Sequence, residues 1–425
     1  TVIAHRHETG DLVVIRDALG RVPIRWCRCD DTLHIFTGPS LPVGVSANAN
    51  VQRLERFLTG AHDESTDDYV EGVHRVLPGQ RITFRDDQVI AEHVWSPPEE
   101  TLRTSTLIER LIASLQASTP RSDAYTLSGG LDSSAIVAMA GDRVETTWTM
   151  AFPEPSSDET REAQEIADHF GVPLEMFDCD PHRDLLRTAF FEHDAVGGYG
   201  PVFVPNAVTE STFFNAIAEQ ATGPIVLGLG GDQALHSSQN IAIRDDLQHQ
   251  RLRAMTSHMR HDLRTTSRQI ITTIGRQLLR RPNVEVVKSH PWVSAHETAE
   301  LPQSWRDIRR AELRDWGWES TMRLVDTYAR LANREFVLPW VDLATWEVCL
   351  NATPSQLRLG HTPKGLLRVA LSGLIPEGIR TAKKHKSANK FVEGSMLQSA
   401  DALIDLASME GVSHVVPNFR QSAYV

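Results

Sequence analysis

Residues 126–134 read TLSGGLDSS, between the strand-like DAY and the helix-forming AIVAMA. A strand that hands over to a helix through so polar a turn leaves the chain few folds to choose from. The first N–H groups of a helix have no intrahelical partner, and the helix dipole adds partial positive charge, so an anion is favoured there. Gly129 and Gly130 let the backbone approach the anion, and Ser128, Ser133 and Ser134 offer hydroxyl donors. The candidate phosphate-binding stretch thus runs from Leu127 through Leu131 to Ser134. Asp132 is the odd member, because a carboxylate in a phosphate cradle repels its ligand unless a cation lies between them. Mg²⁺ bridging Asp132 to phosphate oxygens meets that need. No lysine follows the glycines, so the string is not the GxxxxGKS or GxxxxGKT of P-loop nucleotide hydrolases.

The pattern around this loop expects an α/β fold in two parts. At 425 residues, 41% of them apolar and 23% charged, the chain has room for two globular domains. Up to about residue 95 it reads as short strands (DLVVIRD, TLHIFTG, QRITFRD, QVIAEHVW) with one helix, NVQRLERFLTG, among them. SPPEE at 96–100 is a rigid polar break, which divides the chain into 1–97 and 101–425. Helices are then expected near 103–117, from about 133, and at 158–170 with Gly171 closing the last. Strands are expected at 123–127, 146–152 and 224–228. Such alternation implies a mostly parallel sheet with helices on both faces, followed from about 246 by a predominantly helical region.

A second glycine-rich turn, LGLGGDQ at 227–233, follows the strand expected at 224–228 and presents Asp232. In an open parallel sheet the carboxyl ends of the strands hold the ligand crevice, so Asp132 and Asp232 should emerge on the same side. Two carboxylates there suit Mg²⁺ on a triphosphate.

Composition excludes other classes. The net charge of −12 gives no reason to expect nucleic-acid binding. Four cysteines are too few and scattered for a disulfide framework, and the Cys27–Cys29 pair has no second pair to complete a zinc site, so a reducing cytoplasm is expected. No apolar run has membrane-spanning length, and no signal peptide is evident.

SGGLDSS resembles the pyrophosphate loop of the N-type ATP pyrophosphatases, most closely the branch holding asparagine synthetase, β-lactam synthetase and the lasso-peptide cyclases. Members adenylate a carboxylate with ATP and pass the acyl group to an amine. The resemblance implies an adenine-nucleotide α-hydrolase-like ligase domain over 101–425. It assigns Leu127, Phe152 and Gly228 to the nucleotide base, and Asp132 and Asp232 to Mg²⁺, LGLGGDQ being similar to SGxGxDE. FEHDAVGG at 191–198 resembles the acceptor loop, which offers Glu192 and Asp194. The stretch from Asn333 to Lys386 resembles ExRxPFLD followed by KxxLRxa and a basic run. In it Pro339 and Asp342 lie on a core-facing turn, Lys364 and Arg368 on a helix, and Lys384 at the catalytic-lysine position, with Lys383 or Lys386 as register alternatives. An ammonium there stabilises charge that develops as the amine attacks and the phosphate departs.

RDALGRVPIRW at 16–26 and GVHRVLPGQ at 72–80 resemble segments of class II glutamine amidotransferase domains, so 1–97 is expected to be a degenerate, β-rich relative of that domain. Its opening strands and nucleophilic cysteine are expected to be absent, and glutamine is not expected to supply the nitrogen. The place three before the second aspartate, a glutamate in asparagine synthetase and a tyrosine in β-lactam synthetase, is Leu229, which cannot act as a base. SHPWVSAHETAELP at 289–302 resembles a segment of lasso-peptide cyclases. The resemblance therefore implies a precursor peptide as partner, closed to a macrolactam with ATP and Mg²⁺. It leaves open a leader peptidase and a leader-recognition protein, and as alternatives a small-molecule amide ligase or a non-catalytic binding paralogue.

Overall fold

The computed structural model describes the chain except residues 1–2, 7–9, 39, 60–64, 97–99, 180–206, 238–283, 287–297, 301–304, 315, 360–361, 383–390 and 392–425. The N-terminal stretch contains β1 (Ile3–Arg6), β2 (Leu12–Ile15), β3 (Arg25–Cys29), β4 (Thr32–Phe36), α1 (Val51–Thr59), β5 (Val73–Arg75), β6 (Gln80–Arg85) and β7 (Gln88–His93). These strands make two antiparallel sheets, ordered β1-β2-β6-β7 and β4-β3-β5. Strand β6 shows why: Gln80, Ile82 and Phe84 are buried and the residues between them are not, a period of two. Ile82 and Phe84 join Val14, Ile24 and Val76 in a small core, against which Trp26, Leu33 and Ile35 of the second sheet pack.

The second half is built on α2 (Thr104–Ser118), β8 (Tyr125–Thr126), α3 (Leu131–Ala140), β9 (Thr147–Ala151), α4 (Thr160–Phe170), β10 (Leu174–Asp178), α5 (Ala207–Gln220), β11 (Ile225–Val226) and α6 (Gly231–Ala234). After the antiparallel pair β12 (Val284–Val286) and β13 (Thr298–Glu300) come α7 (Trp305–Arg314), α8 (Trp316–Leu331), β14 (Phe336–Val337), α9 (Leu343–Asn351), α10 (Pro354–Leu357), α11 (Gly365–Ala370) and α12 (Glu377–Thr381). Strands β10-β9-β8-β11-β14 form one sheet in that order, every pairing parallel. The alternating strand and helix signals expected this sheet. Leu107, Leu111 and Leu115 of α2, spaced four apart on one face, are buried in the large core beneath it.

Two strands of this sheet were not expected from the sequence: β10, beside β9 at one edge, and β14, beside β11 at the other, where two residues are too few to show periodicity. Beyond 246 the described residues are mostly helical, with the β12–β13 pair and β14 among them.

The two halves are joined through buried charge. Arg16, in the RDALG segment, donates to the carbonyls of Val22 (3.0 Å), Gly20 (2.9 Å) and Val76 (2.7 Å), and Asp17 accepts from the backbone N–H of Leu19 (3.1 Å) and Arg21 (3.0 Å). That motif therefore holds a turn together. Arg75 of β5 pairs with Glu319 of α8, both buried. Burial alone would raise the Glu319 carboxyl, but Arg75, Arg323, Arg16 and Arg53 outweigh it and hold the group down at about 2. Trp318 adds an indole N–H donated to the carbonyl of Leu19 at 2.7 Å.

A depressed carboxyl stabilises the fold above its unfolded pKa and loses that contribution as pH falls toward the folded value. A depression of this size is worth about 3 kcal/mol. Glu319→Gln is therefore expected to destabilise the protein by about that amount at neutral pH, since it removes the charge that faces several buried guanidiniums. In denaturant titrations the gap between wild type and variant should close as pH falls from about 4.5 toward 2; a gap independent of pH would contradict the ion-pair account.

Candidate active site

Strands β8 and β11 are neighbours in the sheet, Val226 opposite Tyr125, so the loops that leave their carboxyl ends stand side by side although about a hundred residues separate them. The first loop opens α3 and the second opens α6. They touch so closely that a Cβ on Gly231 would lie 2.5 Å from Cγ of Asp132. Gly129 has φ +73°, and a Cβ there would come within 2.7 Å of the Ala163 nitrogen in α4. Glycine is required at both places, one for close approach and one for a left-handed backbone as well.

Within the first loop Ser128 N–H donates to Ser133 Oγ (3.1 Å), and Ser133 Oγ donates to the Gly130 carbonyl (3.2 Å). Ser128 and Ser133 border the cavity described below. Ser134 does not: it is wholly buried, so it is not available to a phosphate as the sequence suggested. It falls on the inward face of α3 because the helical turn carries it past the opening. Trp340 Nε1 donates to the Asp132 carbonyl (3.2 Å), which ties the first turn of α3 to the PWVD segment, and Asp342 caps α9 through the N–H of Ala344 (2.9 Å) and Thr345 (3.4 Å).

Lys364 completes the junction. Its Nζ lies 2.5 Å from Oδ2 of Asp132 and 2.5 Å from Oδ1 of Asp232, bridging the two loops. The side chains of Lys364 and Asp132 are 18% and 16% exposed, whereas that of Asp232 is 63% exposed. Lys364 adopts φ 57°, ψ 33°, a left-handed conformation that costs a residue with a side chain about 1 kcal/mol or more. The sequence placed Lys364 on a helix without assigning it to this site. No spacing rule links it to Asp132, 232 residues away, and it stands just before α11 rather than within it.

Two carboxylates drawn around one positive charge are a donor set that fits Mg²⁺. Among the described residues no group of three or more His, Cys, Asp or Glu could hold a metal ion alone. Mg²⁺ held by one or two carboxylates takes its remaining oxygens from phosphates and water.

The junction opens into a cavity of 1330 Å³. Its near side carries Leu127, Gly129, Leu131, Asp132, Phe152 and Gly228, all expected from the sequence, together with Leu229 and Arg368. The Phe152 ring packs at 5.1 Å against that of Phe391. The far side was not anticipated and comes from α5 and α8: Glu210, Phe213 and Phe214 face Leu324, Val325 and Tyr328. Tyr328 Oη donates to Glu210 Oε2 at 2.7 Å. Burial raises the Glu210 carboxyl, with the Tyr328 hydrogen bond opposing it, and burial together with the Glu210 charge raises the Tyr328 hydroxyl well above its ordinary value. A glutamate and a tyrosine 118 residues apart give no sequence signal.

Lys384 and its alternatives Lys383 and Lys386, as well as Glu192 and Asp194, lie outside the described residues. Of the 289–302 segment only 298–300 is described. Among the described residues no helix is long and apolar enough to cross a membrane.

Residues 113–414 match the family model described as Asparagine synthase. Among solved structures, NMN synthetase from Francisella tularensis aligns at 17% identity over 32% of this chain and 56% of its own, with a TM-score of 0.23. The glutamine-dependent NAD+ synthetase from Acinetobacter baumannii, solved in complex with adenosine diphosphate, aligns at 14% identity over 51% of this chain and 56% of its own, with a TM-score of 0.19. The match thus spans little more than half of either relative. No curated protein matches the chain.

Proposed function

The chain belongs to the asparagine synthase family, and from that premise we propose that it is an ATP- and Mg²⁺-dependent ligase. It adenylates a carboxylate, releases pyrophosphate and forms an amide when an amine displaces AMP. The observation that carries this reading is the junction itself: two glycine-rich strand ends bring Asp132, Asp232 and Lys364 together at the mouth of one cavity.

The chain's own groups divide the work. The N–H groups that open α3 bind phosphate oxygens through the helix terminus. Lys364 carries positive charge to the triphosphate, and Asp132 and Asp232 would hold Mg²⁺, which supplies charge neutralisation on the phosphates. Leu127, Phe152 and Gly228 line the cavity where the base would lie. Lys384 is assigned by its place in the basic run after KxxLRxa to the charge that builds on the departing phosphate.

The acceptor in this proposal is a precursor peptide whose Asp or Glu side chain is adenylated and whose own N-terminal amine closes a macrolactam. Ligand pockets generally span about 300–1,000 Å³. At 1330 Å³ the cavity leaves space beside a nucleotide for more than a single amino acid. An amine carried by the same peptide is effectively concentrated against the acyl-adenylate.

Given ATP, Mg²⁺ and a leader-free peptide with Asp or Glu several residues from its free N-terminus, the enzyme is expected to give a product lighter by one water. Its N-terminus should be blocked, with AMP and pyrophosphate formed in equal amounts, as read by mass spectrometry and phosphate assay. Asparagine from aspartate with ammonia or glutamine, or a lactam from a small β-amino acid while peptides stay unreacted, would replace the peptide and keep the ligase. No pyrophosphate with any of these would point to a binding paralogue.

A further inference from the structure

Leu229 leaves the nucleotide side of the cavity without a proton acceptor at the place where the sequence resemblance puts one, yet an acceptor amine reaches a protein as an ammonium and must lose a proton before it can attack. The carboxylates of the near wall, Asp132, Asp232, Glu159 and Glu162, stand with the glycine-rich loops and α4, and the far wall carries one apart from them. Glu210 is the carboxylate on the α5 side of the cavity, partly exposed toward it, whereas Phe213 and Phe214 on the same helix and Tyr328 opposite are buried around it. Tyr328 Oη holds one carboxylate oxygen at 2.7 Å and leaves the other for a ligand. The rings of Phe214 and Tyr328 are 5.2 Å apart, and those of Phe213 and Phe214 5.5 Å, so the carboxylate stands at the edge of an aromatic patch. A negative charge beside aromatic faces is chemistry that receives an alkylammonium.

On the ligase reading above, we propose that Glu210, positioned by Tyr328, is the amine subsite: it binds the acceptor as a primary ammonium and takes its proton. The raised carboxyl of Glu210 makes it a stronger base than an exposed glutamate, in keeping with that task. The ammonium gives one proton to Glu210, and the freed nitrogen lone pair forms the C–N bond to the acyl carbon. The bond from that carbon to the phosphate oxygen breaks, and its electron pair leaves on AMP. The second proton, from the nitrogen made cationic by attack, departs with the AMP phosphate. Tyr328 is a positioning residue, since it acts through the carboxylate.

Hydroxylamine tests this because it is uncharged at neutral pH and needs no proton removed before it attacks. The enzyme, ATP, Mg²⁺ and a leader-free peptide with an internal Asp or Glu are incubated with and without hydroxylamine, and hydroxamate and macrolactam are measured separately. Glu210→Gln is expected to lower macrolactam formation by about a hundredfold or more while hydroxamate formation stays within about twofold of wild type. Tyr328→Phe should show the same split at about tenfold. An N-acetylated copy of the peptide should yield hydroxamate and no macrolactam with every protein. Hydroxamate formation also reports that each variant is folded. Equal loss of both products in Glu210→Gln, or retention of both, overturns the subsite and leaves the ligase reading standing. Wild-type protein that releases no pyrophosphate under these conditions overturns the ligase reading, and the subsite with it.

Discussion

Asp132→Asn is expected to lower pyrophosphate release by about a thousandfold while leaving the fold intact. The amide has the carboxylate's shape but no charge, so it can neither hold Mg²⁺ against the triphosphate nor balance the Lys364 ammonium 2.5 Å away. The backbone carbonyl of this residue accepts from Trp340, and the substitution leaves that bond in place. Asp232→Asn should act in the same direction but less strongly, about a hundredfold. Its side chain is 63% exposed against 16% for Asp132, and water screens an exposed charge more. Pyrophosphate assays beside thermal melts check both. Turnover like wild type in Asp132→Asn would remove the metal assignment, and equal losses would remove the ordering.

The second large effect belongs to Lys364, where charge and backbone can be separated. Lys364→Met keeps the length of the side chain but removes the ammonium that bridges Asp132 and Asp232. Pyrophosphate release should fall by about a hundredfold or more, with a raised KM for ATP because the triphosphate loses a positive partner. Lys364→Gly removes the same charge but accepts φ 57° without strain. It should match Lys364→Met in lost activity and exceed it in stability by about 1 kcal/mol. Activity that tracked stability across the pair would make the lysine a structural residue.

Much of this site was legible because its chemistry is local. Ser128 to Asp132 and Gly230 to Asp232 are contiguous strings whose glycines, hydroxyls and carboxylates fall within a few positions, and the structure places both at one cavity. The parallel sheet was legible for a similar reason, since strand and helix signals alternate at regular spacing from 123 to 228. What could not be read is what the fold brings in from a distance. Lys364 meets Asp132 across 232 residues of sequence, and Tyr328 meets Glu210 across 118, the latter pair on α5 and α8, the helices that lead into the neighbouring strands β11 and β14. Strand β14 itself has two residues, too few for any period to register. Ser134 shows what a loop read as a string hides, the rotation of the helix: one position beyond Ser133, the side chain is wholly buried and does not line the cavity.

The contact between Leu19 and α8 bears on modularity. The SPPEE break invites division of the gene at residues 96–100, but the Leu19 side chain is packed into the same apolar core as the parallel sheet, and its carbonyl holds the Trp318 indole. A β-rich segment exchanged for that of a relative would therefore carry away part of the second half's interior. Shuffling can succeed only where the incoming segment brings a matching apolar plug and a matching acceptor, so the two halves are bound to diverge together rather than as separate cassettes.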